Sequence, residues 1–285
     1  MLQFTEDFEP GSGRSVIVDI KEELYSAKSD FQAVKVFDTV AYGRMLTLDG
    51  IIQLTQFDNH AYHEMLTHVP MQLSNAKNVL IIGGGDGGIL KEVVRYSSVE
   101  KVVLCDIDPY VTKVSKDFFP EFRDAFEDSR AEVIHEDAAE YVKGKTEFFD
   151  VVLIDSSDPI GPATVLYEKE FYQNVYNSMK IDGIMSCQME SMYYHPEFIK
   201  EKVTIQKNMF KSAEYYYTMI PTYPGGSIGF SLCIKQGSSL CSARLDKNSL
   251  DTGSNPEIID SLKYYDNKIH DASFVLPKFI GDVLC

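Results

Sequence analysis

The sequence predicts an α/β fold in which a mostly parallel, doubly wound sheet follows a small antiparallel β unit. From residue 78 onward, apolar runs of strand type alternate with helical segments, an order that places helices on both faces of a parallel sheet. Before residue 58 the apolar runs are short and partly alternating, as in antiparallel strands. The 285 residues suffice for one large domain with a smaller attachment. We therefore predict an N-terminal β domain over residues 1–57 and a larger α/β domain over residues 58–285.

The N-terminal unit is predicted to contain short strands at 15–20, 32–37, 45–48 and 51–54. The last two flank Asp49-Gly50, a strong signal for a two-residue hairpin. Asp58 then has a side chain suited to cap a helix, which the pattern extends to about residue 73.

The larger domain is predicted to alternate strands and helices up to residue 235. The stretch 237–256, rich in Ser, Gly and Asn, is predicted to be a loop, and helical, apolar character returns at 257–279. The predicted strands lie at 79–82, 101–106, 131–135, 150–155, 184–188, 214–220 and 229–235, and the predicted helices near 88–96, 109–117, 138–143, 168–179 and 196–210.

A glycine-rich turn after the first of these strands predicts a nucleoside-binding site. Gly83, Gly85 and Gly88 fit the G-x-G-x-x-G fingerprint in the strand–turn–helix context that it requires. Glycines let the backbone approach a ligand where a Cβ would clash. Asp86 lies inside this turn, where its carboxylate would repel a pyrophosphate. The ligand is therefore expected to be a nucleoside with a cationic arm rather than a dinucleotide.

Acidic residues follow four of the predicted strands, at the carboxyl ends where open α/β sheets bind their ligands. A single acid is readily explained as a cap or turn residue, whereas four acidic strand ends on one rim repel one another. Asp106 lies about 20 residues beyond the glycines, where an acid binds ribose hydroxyls in nucleotide sites. These strand ends carry Asp86, then Asp106 and Asp108, then Glu136 and Asp137, and last Asp155 and Asp158.

The composition predicts which classes of partner the protein binds and in which cellular compartment it lies. Acidic residues outnumber basic ones by 43 to 27, and the net charge of −16 argues against nucleic acid while it favours a cationic small molecule. No apolar stretch approaches the roughly 20 residues of a membrane span, and the N-terminus lacks the features of a signal peptide. The five cysteines are scattered, as expected of free thiols in a reducing compartment. We therefore expect a cytoplasmic protein without membrane partners.

The segment from His63 to His68 is similar to a zinc-binding HExxH motif but has the wrong spacing. Its histidines are five residues apart, so they point ~140° apart around a helix and cannot share one ligand face. No metal site is predicted. Ser156 and Ser157 lack the flanking glycines of a nucleophile elbow, so a serine nucleophile is not expected either.

Several sequence blocks together resemble the spermidine synthases of the polyamine aminopropyltransferase family. The resemblance covers nearly the whole chain, from about Pro10 to Phe279, with the blocks in the family's order and spacing. It implies a Rossmann-like, methyltransferase-type sheet behind the N-terminal β domain, and a homodimer with that domain near the interface. The blocks are residues 48–53, 62–65, 83–88, 155–163, 220–224, and 263–265 with 274–277.

The resemblance implies a reaction between two cations. The aminopropyl group of decarboxylated S-adenosylmethionine moves to putrescine, which gives spermidine and 5'-methylthioadenosine, with no cofactor beyond these substrates. Asp155 is implied as the general base, assisted by Tyr62. The implied donor-binding residues are Gln32, Gln53, His63, Gly83, Gly85, Asp86, Asp106, Ile107, Asp137, Ala138 and Pro162. The implied putrescine-binding residues are Tyr62, Asp155, Asp158, Glu190 and Tyr223.

The chain departs from the family's pattern at the acceptor end of the cavity. It has no Trp, and Tyr193 occupies one of the positions where the family commonly has one. Three alternatives stay open. The first is a putrescine N-methyltransferase, which would use S-adenosylmethionine; Asp86 argues against it, because that donor carries a carboxylate. The second is an aminopropyltransferase with a longer polyamine or agmatine as acceptor. The third is a silent paralogue that only binds these ligands.

Overall fold

The computed structural model describes residues 2–8, 12–156, 161–236 and 255–284, and it contains two sheets. The first sheet is antiparallel, and its strands lie in chain order. Its strands are β1 (Leu2–Phe8), β2 (Arg14–Lys28), β3 (Ala33–Thr39), β4 (Arg44–Leu48) and β5 (Ile51–Thr55).

Strand β1 was not predicted, and β2 is far longer than the predicted strand at 15–20. Acidic residues interrupt the apolar alternation of β1 and conceal it in the sequence. In the structure the ring of Phe4 packs against the ring of Phe37, with ring centroids 5.4 Å apart. The carboxylate of Glu6 is buried and accepts the backbone N–H of Ile52 at 2.8 Å. A strand whose inward positions include a glutamate gives no clear two-residue period.

The second sheet confirms the prediction of a Rossmann-like, mostly parallel, doubly wound fold. Its order is β11-β12-β10-β9-β6-β7-β8, and only β12 runs antiparallel to its neighbours. Its strands are β6 (Asn78–Gly83), β7 (Lys101–Cys105), β8 (Ala131–Ile134), β9 (Phe149–Asp155), β10 (Met179–Gln188), β11 (Ser212–Met219) and β12 (Ser227–Ile234).

Helices cover both faces of this sheet. The sequence did not predict α4 or the 3-10 helix Gly161–Tyr167. No helix in the described ranges is long and apolar enough to cross a membrane. The helices are α1 (Asn59–Met71), α2 (Gly88–Val93), α3 (Pro109–Phe118), α4 (Pro120–Phe126), α5 (Ala138–Val142), α6 (Lys169–Ser178), α7 (Pro196–Lys207), α8 (Pro256–Ser261), α9 (Asn267–Ser273) and α10 (Lys278–Leu284), with a second 3-10 turn at Pro224–Gly226.

The prediction that the side chain of Asp58 caps α1 was wrong. Asp58 precedes the helix, yet its carboxylate makes no capping hydrogen bond. It accepts hydrogen bonds from Thr55 and from Thr222, a residue far along the chain. The carboxylate of Asp58 therefore accepts a hydrogen bond from the distant Thr222 instead of from the backbone N–H groups of α1.

The strand order reverses between β6 and β9, the two central strands of the second sheet. Their register pairs Gly83 with Asp155 at the carboxyl ends. Between these ends and the amino ends, residues 79–82 and 151–154 are fully buried. A crevice opens where strand order reverses in an α/β sheet, and ligands bind there. The fold thus brings the glycine-rich turn and the acidic strand ends to one place.

Candidate active site

The glycine-rich turn packs directly on the end of β9. Gly83 and Gly84 have φ angles of 73° and 64°, which L-residues with side chains rarely adopt. The N–H of Gly84 donates to the carbonyl oxygen of Asp155 at 3.1 Å. A Cβ on Gly83 would lie 2.1 Å from that same oxygen. Glycine is therefore required here to bring Asp155 against the turn.

Two further glycines make room for side chains of the protein itself. The N–H of Gly85 donates to Oδ2 of Asp106 at 2.9 Å, and a Cβ on Gly85 would lie 2.6 Å from that oxygen. A Cβ on Gly88 would come within 2.0 Å of the ring of His63. The sequence suggested that these glycines admit a ligand. The structure adds that they let Asp106 and His63 reach the turn.

Asp86 projects from the turn towards α1. Its Oδ1 accepts the N–H of Gly88 at 2.6 Å, and its Oδ2 lies 3.5 Å from Nε2 of the buried His63. Burial lowers the pKa of His63, but the charges of Asp86 and Asp155 outweigh it and raise that pKa overall. His63 is thus poised to balance part of the negative charge of the turn.

Asp106 at the end of β7 is held by two backbone groups. Its oxygens accept the N–H of Gly85 at 2.9 Å and the N–H of Asp108 at 2.8 Å. Burial nevertheless raises the pKa of Asp106 to about 6, since its loss of solvation exceeds the gain from these bonds. The carboxylate is therefore fixed in orientation beside the turn.

Gln32 joins the N-terminal sheet to this rim through Asp108 rather than through Asp106. Its Nε2 donates to Oδ2 of Asp108 at 3.0 Å, and the hydroxyl of Ser29 donates to the same oxygen at 2.7 Å. The other oxygen of Asp108 accepts the N–H of Tyr110 and caps α3. No motif in the sequence marks this fully buried carboxylate as the link between the two sheets.

Asp155 and Tyr62 form a close hydrogen-bonded pair at the end of β9. The hydroxyl of Tyr62 donates to Oδ1 of Asp155 at 2.6 Å. The Asp155 side chain is partly exposed, yet protein surrounds most of its carboxyl. This burial and the charge of Asp86 raise its pKa to about 7, against a smaller lowering effect of the Tyr62 hydrogen bond. Burial and the charge of Asp155 also raise the pKa of Tyr62 well above its usual range.

Tyr223 approaches Tyr62 from the loop that follows β11. Its ring centroid lies 6.1 Å from that of Tyr62, and its hydroxyl donates to the carbonyl oxygen of Gln53 at 2.5 Å. The amide of Gln53 is 3.5 Å from the carbonyl of Ile51. Residues from the N-terminal sheet, α1 and the β11–β12 loop thus meet beside Asp155.

The other predicted residues lie on neighbouring strand ends. Glu190 follows β10, has a φ of 64° and is buried, with Oε2 3.1 Å from Nδ1 of His195. Asp137 is exposed and caps α5 through the N–H of Ala139 at 2.8 Å. Ala138 is buried at the start of α5, Ile107 follows Asp106, and Pro162 lies in the 3-10 helix Gly161–Tyr167. Asp158 lies outside the described residues.

The residues of the segment that resembles a zinc motif have separate structural roles. Both oxygens of the buried Glu64 accept backbone N–H groups of residues 263–265, at 2.8 to 3.0 Å. His68 contacts the hydroxyl of Tyr96 at 2.7 Å, whereas His63 lies beside the glycine turn. The motif therefore attaches the C-terminal segment to α1 and separates its two histidines.

Chemically, the rim is a dense cluster of carboxylates, with the buried His63 beside Asp86. Asp86 and Asp106 both raise the pKa of Asp155, so the three groups interact electrostatically. Such a cluster would be stabilised by a bound cation, which would also lower the raised pKa values of Asp155 and Asp106. Asp155 has in addition the hydrogen-bond partner and the raised pKa of a proton acceptor.

The chain is similar along its whole length to polyamine synthases. The spermine/spermidine synthase domain model matches residues 59–242, and the spermidine synthase tetramerisation domain model matches residues 3–56. Spermidine synthase 1 of Hyoscyamus niger is 43% identical over 96% of this chain and 87% of its own length. A spermine synthase of Arabidopsis thaliana is 42% identical over 98% of this chain and 78% of its own length. A crystal structure of spermidine synthase with the transition-state analogue AdoDATO has a TM-score of 0.89 and 35% identity, covering 99% of this chain and 94% of that one.

Proposed function

Because this chain belongs to the spermine/spermidine synthase family and is an aminopropyltransferase, we propose that it transfers the aminopropyl group of decarboxylated S-adenosylmethionine to putrescine. The products are spermidine and 5'-methylthioadenosine. The observation that carries the proposal is the Asp155 carboxyl, held by Tyr62 at 2.6 Å within the carboxylate cluster at the strand-order reversal. The donor is a sulfonium with a primary ammonium and the acceptor is a diammonium, so both are cations that such a cluster would bind.

The donor is proposed to lie along the glycine turn. Asp106 binds the ribose hydroxyls, and its fixed orientation supports that role. Asp137 and Ala138 contact the adenine through backbone atoms, since the carboxylate of Asp137 is used to cap α5. Asp86 binds the donor's ammonium beside His63. The proposed donor site also includes Ile107, Pro162, Gln32 and Gln53. The hydrogen bond of Gln32 to Asp108 holds the Gln32 side chain at this site.

Putrescine is proposed to lie alongside Tyr62 and Tyr223, with its reacting amine at Asp155. The two tyrosine rings contact each other, with centroids 6.1 Å apart, and this supports a continuous aromatic wall for an alkyl chain. Glu190 binds the distal amine, and its burial and approach to His195 support an inward-facing carboxylate. Asp158, which also belongs to the proposed acceptor site, lies outside the described residues.

Asp155 is proposed to remove a proton from the attacking amine. An alkylammonium has a pKa of ~10.4, so freeing its lone pair at pH 7 costs roughly 4–5 kcal/mol. A carboxyl with a pKa of about 7 accepts that proton far more readily than one with an ordinary pKa of 3.8. The amine nitrogen then forms a bond to the aminopropyl carbon while the carbon–sulfur bond breaks. The bonding pair stays on sulfur as a neutral thioether, so no acid and no cofactor is proposed.

One observation bears on the choice between the two sulfonium donors. S-Adenosylmethionine carries a carboxylate next to the ammonium that Asp86 is proposed to bind, and like charges at that distance repel. The similarity to a spermine synthase keeps a longer polyamine as the alternative acceptor. We further propose a cytoplasmic homodimer; the match of residues 3–56 to a tetramerisation domain supports assembly through the N-terminal sheet.

Product analysis tests this function. The protein is incubated with putrescine and with each sulfonium donor separately, and the products are identified by mass. Spermidine with methylthioadenosine is the expected result. Methylputrescine with adenosylhomocysteine would replace the proposal by a methyltransferase. If neither product pair forms, parallel reactions with spermidine and agmatine distinguish another acceptor, which gives product, from a binding protein, which gives none.

A further inference from the structure

The carboxylate of Asp58 has an unusual set of partners for a residue that precedes a helix. It is 5% exposed and makes no bond to the N–H groups of α1. Oδ2 accepts the N–H of Thr222 at 2.8 Å, and Oδ1 accepts the hydroxyl of Thr55 at 2.7 Å. The hydroxyl of Thr222 lies 2.9 Å from Oδ1 and 2.8 Å from Oδ2. Both oxygens are thus occupied by groups outside the helix.

Thr222 is the attachment point of a tight loop that carries Tyr223. The N–H of Tyr223 donates to the carbonyl of Ile220 at 3.0 Å, and the N–H of Gly226 donates back to the carbonyl of Tyr223 at 2.9 Å. The N–H of Ile220 closes the loop on the carbonyl of Gly226 at 2.9 Å. Because the loop is constrained internally, its attachment at Thr222 and the hydrogen bond of Tyr223 to Gln53 together fix where the ring of Tyr223 lies.

Asp58 also touches the two other segments that reach the proposed acceptor site. Thr55 ends β5, two residues beyond Gln53, whose carbonyl accepts the hydroxyl of Tyr223 at 2.5 Å. Tyr62 follows Asp58 by four residues on α1 and donates to Asp155. One buried carboxylate therefore connects the segments that carry Gln53, Tyr62 and Tyr223.

We propose that Asp58 is a positioning residue for the acceptor, which acts by fixing the Tyr223 loop against Tyr62 and Asp155. This inference rests on the proposed function, in which Tyr223 contacts putrescine. Hydrogen bonds to a buried carboxylate are strong and directional, and losing one partner leaves the charge incompletely solvated. Apart from Gln53 and His63, the proposed donor residues lie away from the segments that Asp58 connects, chiefly on the glycine turn and at the end of β7. Disturbing Asp58 is therefore expected to affect the acceptor more than the donor.

The test compares two substitutions at Thr222 with one at Asp58. Thr222→Val keeps the shape and removes the hydroxyl, Thr222→Ser keeps the hydroxyl, and Asp58→Asn removes the charge. Thr222→Val and Asp58→Asn are expected to raise the KM for putrescine about tenfold or more, with kcat changed less than about threefold. Thr222→Ser stays near wild type, and the affinity for methylthioadenosine, measured by calorimetry, is unchanged. Asp266→Asn, at an exposed cap of α9, is the matched carboxylate control.

Tyr223→Phe separates this inference from the proposed function. If Tyr223→Phe leaves the KM for putrescine unchanged, the proposed acceptor role is wrong and the inference is overturned with it. If Tyr223→Phe raises that KM whereas Asp58→Asn and Thr222→Val do not, only the inference is overturned. Equal losses of putrescine and methylthioadenosine affinity would likewise overturn it, since they indicate a general structural role. Should Asp58→Asn fail to fold, the Thr222 pair decides the question.

Discussion

Replacing Asp155 by Asn is expected to stabilise the fold at alkaline pH. The pKa of Asp155 is about 7 in the folded protein against an ordinary value of 3.8. Between these values the folded state binds more protons than the unfolded state, so its free energy of unfolding falls as pH rises. That loss is complete above pH 7 and is absent well below pH 4. Asn at this position carries no charge, so the free energy of unfolding of the variant does not undergo this loss.

The size of the effect follows from the displacement of the pKa. The charged carboxylate destabilises the folded state by at most about 4 kcal/mol at pH 8 and by about 1 kcal/mol at pH 4.5. The partial exposure of Asp155 reduces the first figure. The substitution also weakens the hydrogen bond from Tyr62, at a cost of about 1 kcal/mol. We therefore expect a net gain of about 2 kcal/mol at pH 8 and no gain at pH 4.5.

Urea unfolding of both proteins at pH 4.5 and pH 8 measures this difference. Asp182→Asn, on the exposed part of β10, controls for the loss of one surface charge. An Asp155→Asn variant no more stable than the wild type at pH 8 would refute a destabilising charge at this position. A stability difference between the two proteins that does not grow with pH would refute it as well. A gain in stability with a loss of activity is the usual consequence of relieving electrostatic strain at a catalytic site.

Three further predictions concern neighbouring parts of the site. Asp86→Asn should reduce the preference for decarboxylated over ordinary S-adenosylmethionine by about tenfold or more, as seen in competitive binding of the two donors; an unchanged ratio would contradict the role of Asp86. Gly88→Ala should lower the free energy of unfolding by about 1–3 kcal/mol, because its Cβ would meet the buried ring of His63, and denaturant unfolding with Gly281→Ala as control checks this. Glu64→Gln should destabilise by about 2 kcal/mol because a neutral amide replaces a carboxylate that accepts three backbone N–H groups; the exposed Glu257→Gln should not.

The sheet was readable from sequence because its signals are local. Each central strand is an apolar run that ends at or just before a glycine or an acid, so the type of each element, its position along the chain and the location of the carboxyl ends followed from the pattern, whereas the order of the strands in the sheet did not. Strand β1 and helix α4 were missed, since β1 places a glutamate inward and α4 is only seven residues long. Short elements stabilised by tertiary contacts carry little periodicity of their own.

The acids at the strand ends were also readable, but their partners were not. The bond of Gln32 to Asp108 spans 76 residues, and that of Asp58 to Thr222 spans 164. Local rules assigned Asp58 to a helix cap because a cap needs only the next turn of chain. Which of two possible partners a carboxylate takes depends on the tertiary fold, and no motif in the sequence records it.

Turnover of Asp155→Asn tests the central claim, that this carboxylate accepts the proton of the attacking amine. Release of methylthioadenosine from decarboxylated S-adenosylmethionine and saturating putrescine is followed at pH 8 for both proteins. The kcat of the Asn variant is expected to be about 100-fold or more below wild type, with the affinity for methylthioadenosine unchanged. Turnover at the wild-type rate in the Asn variant would contradict it.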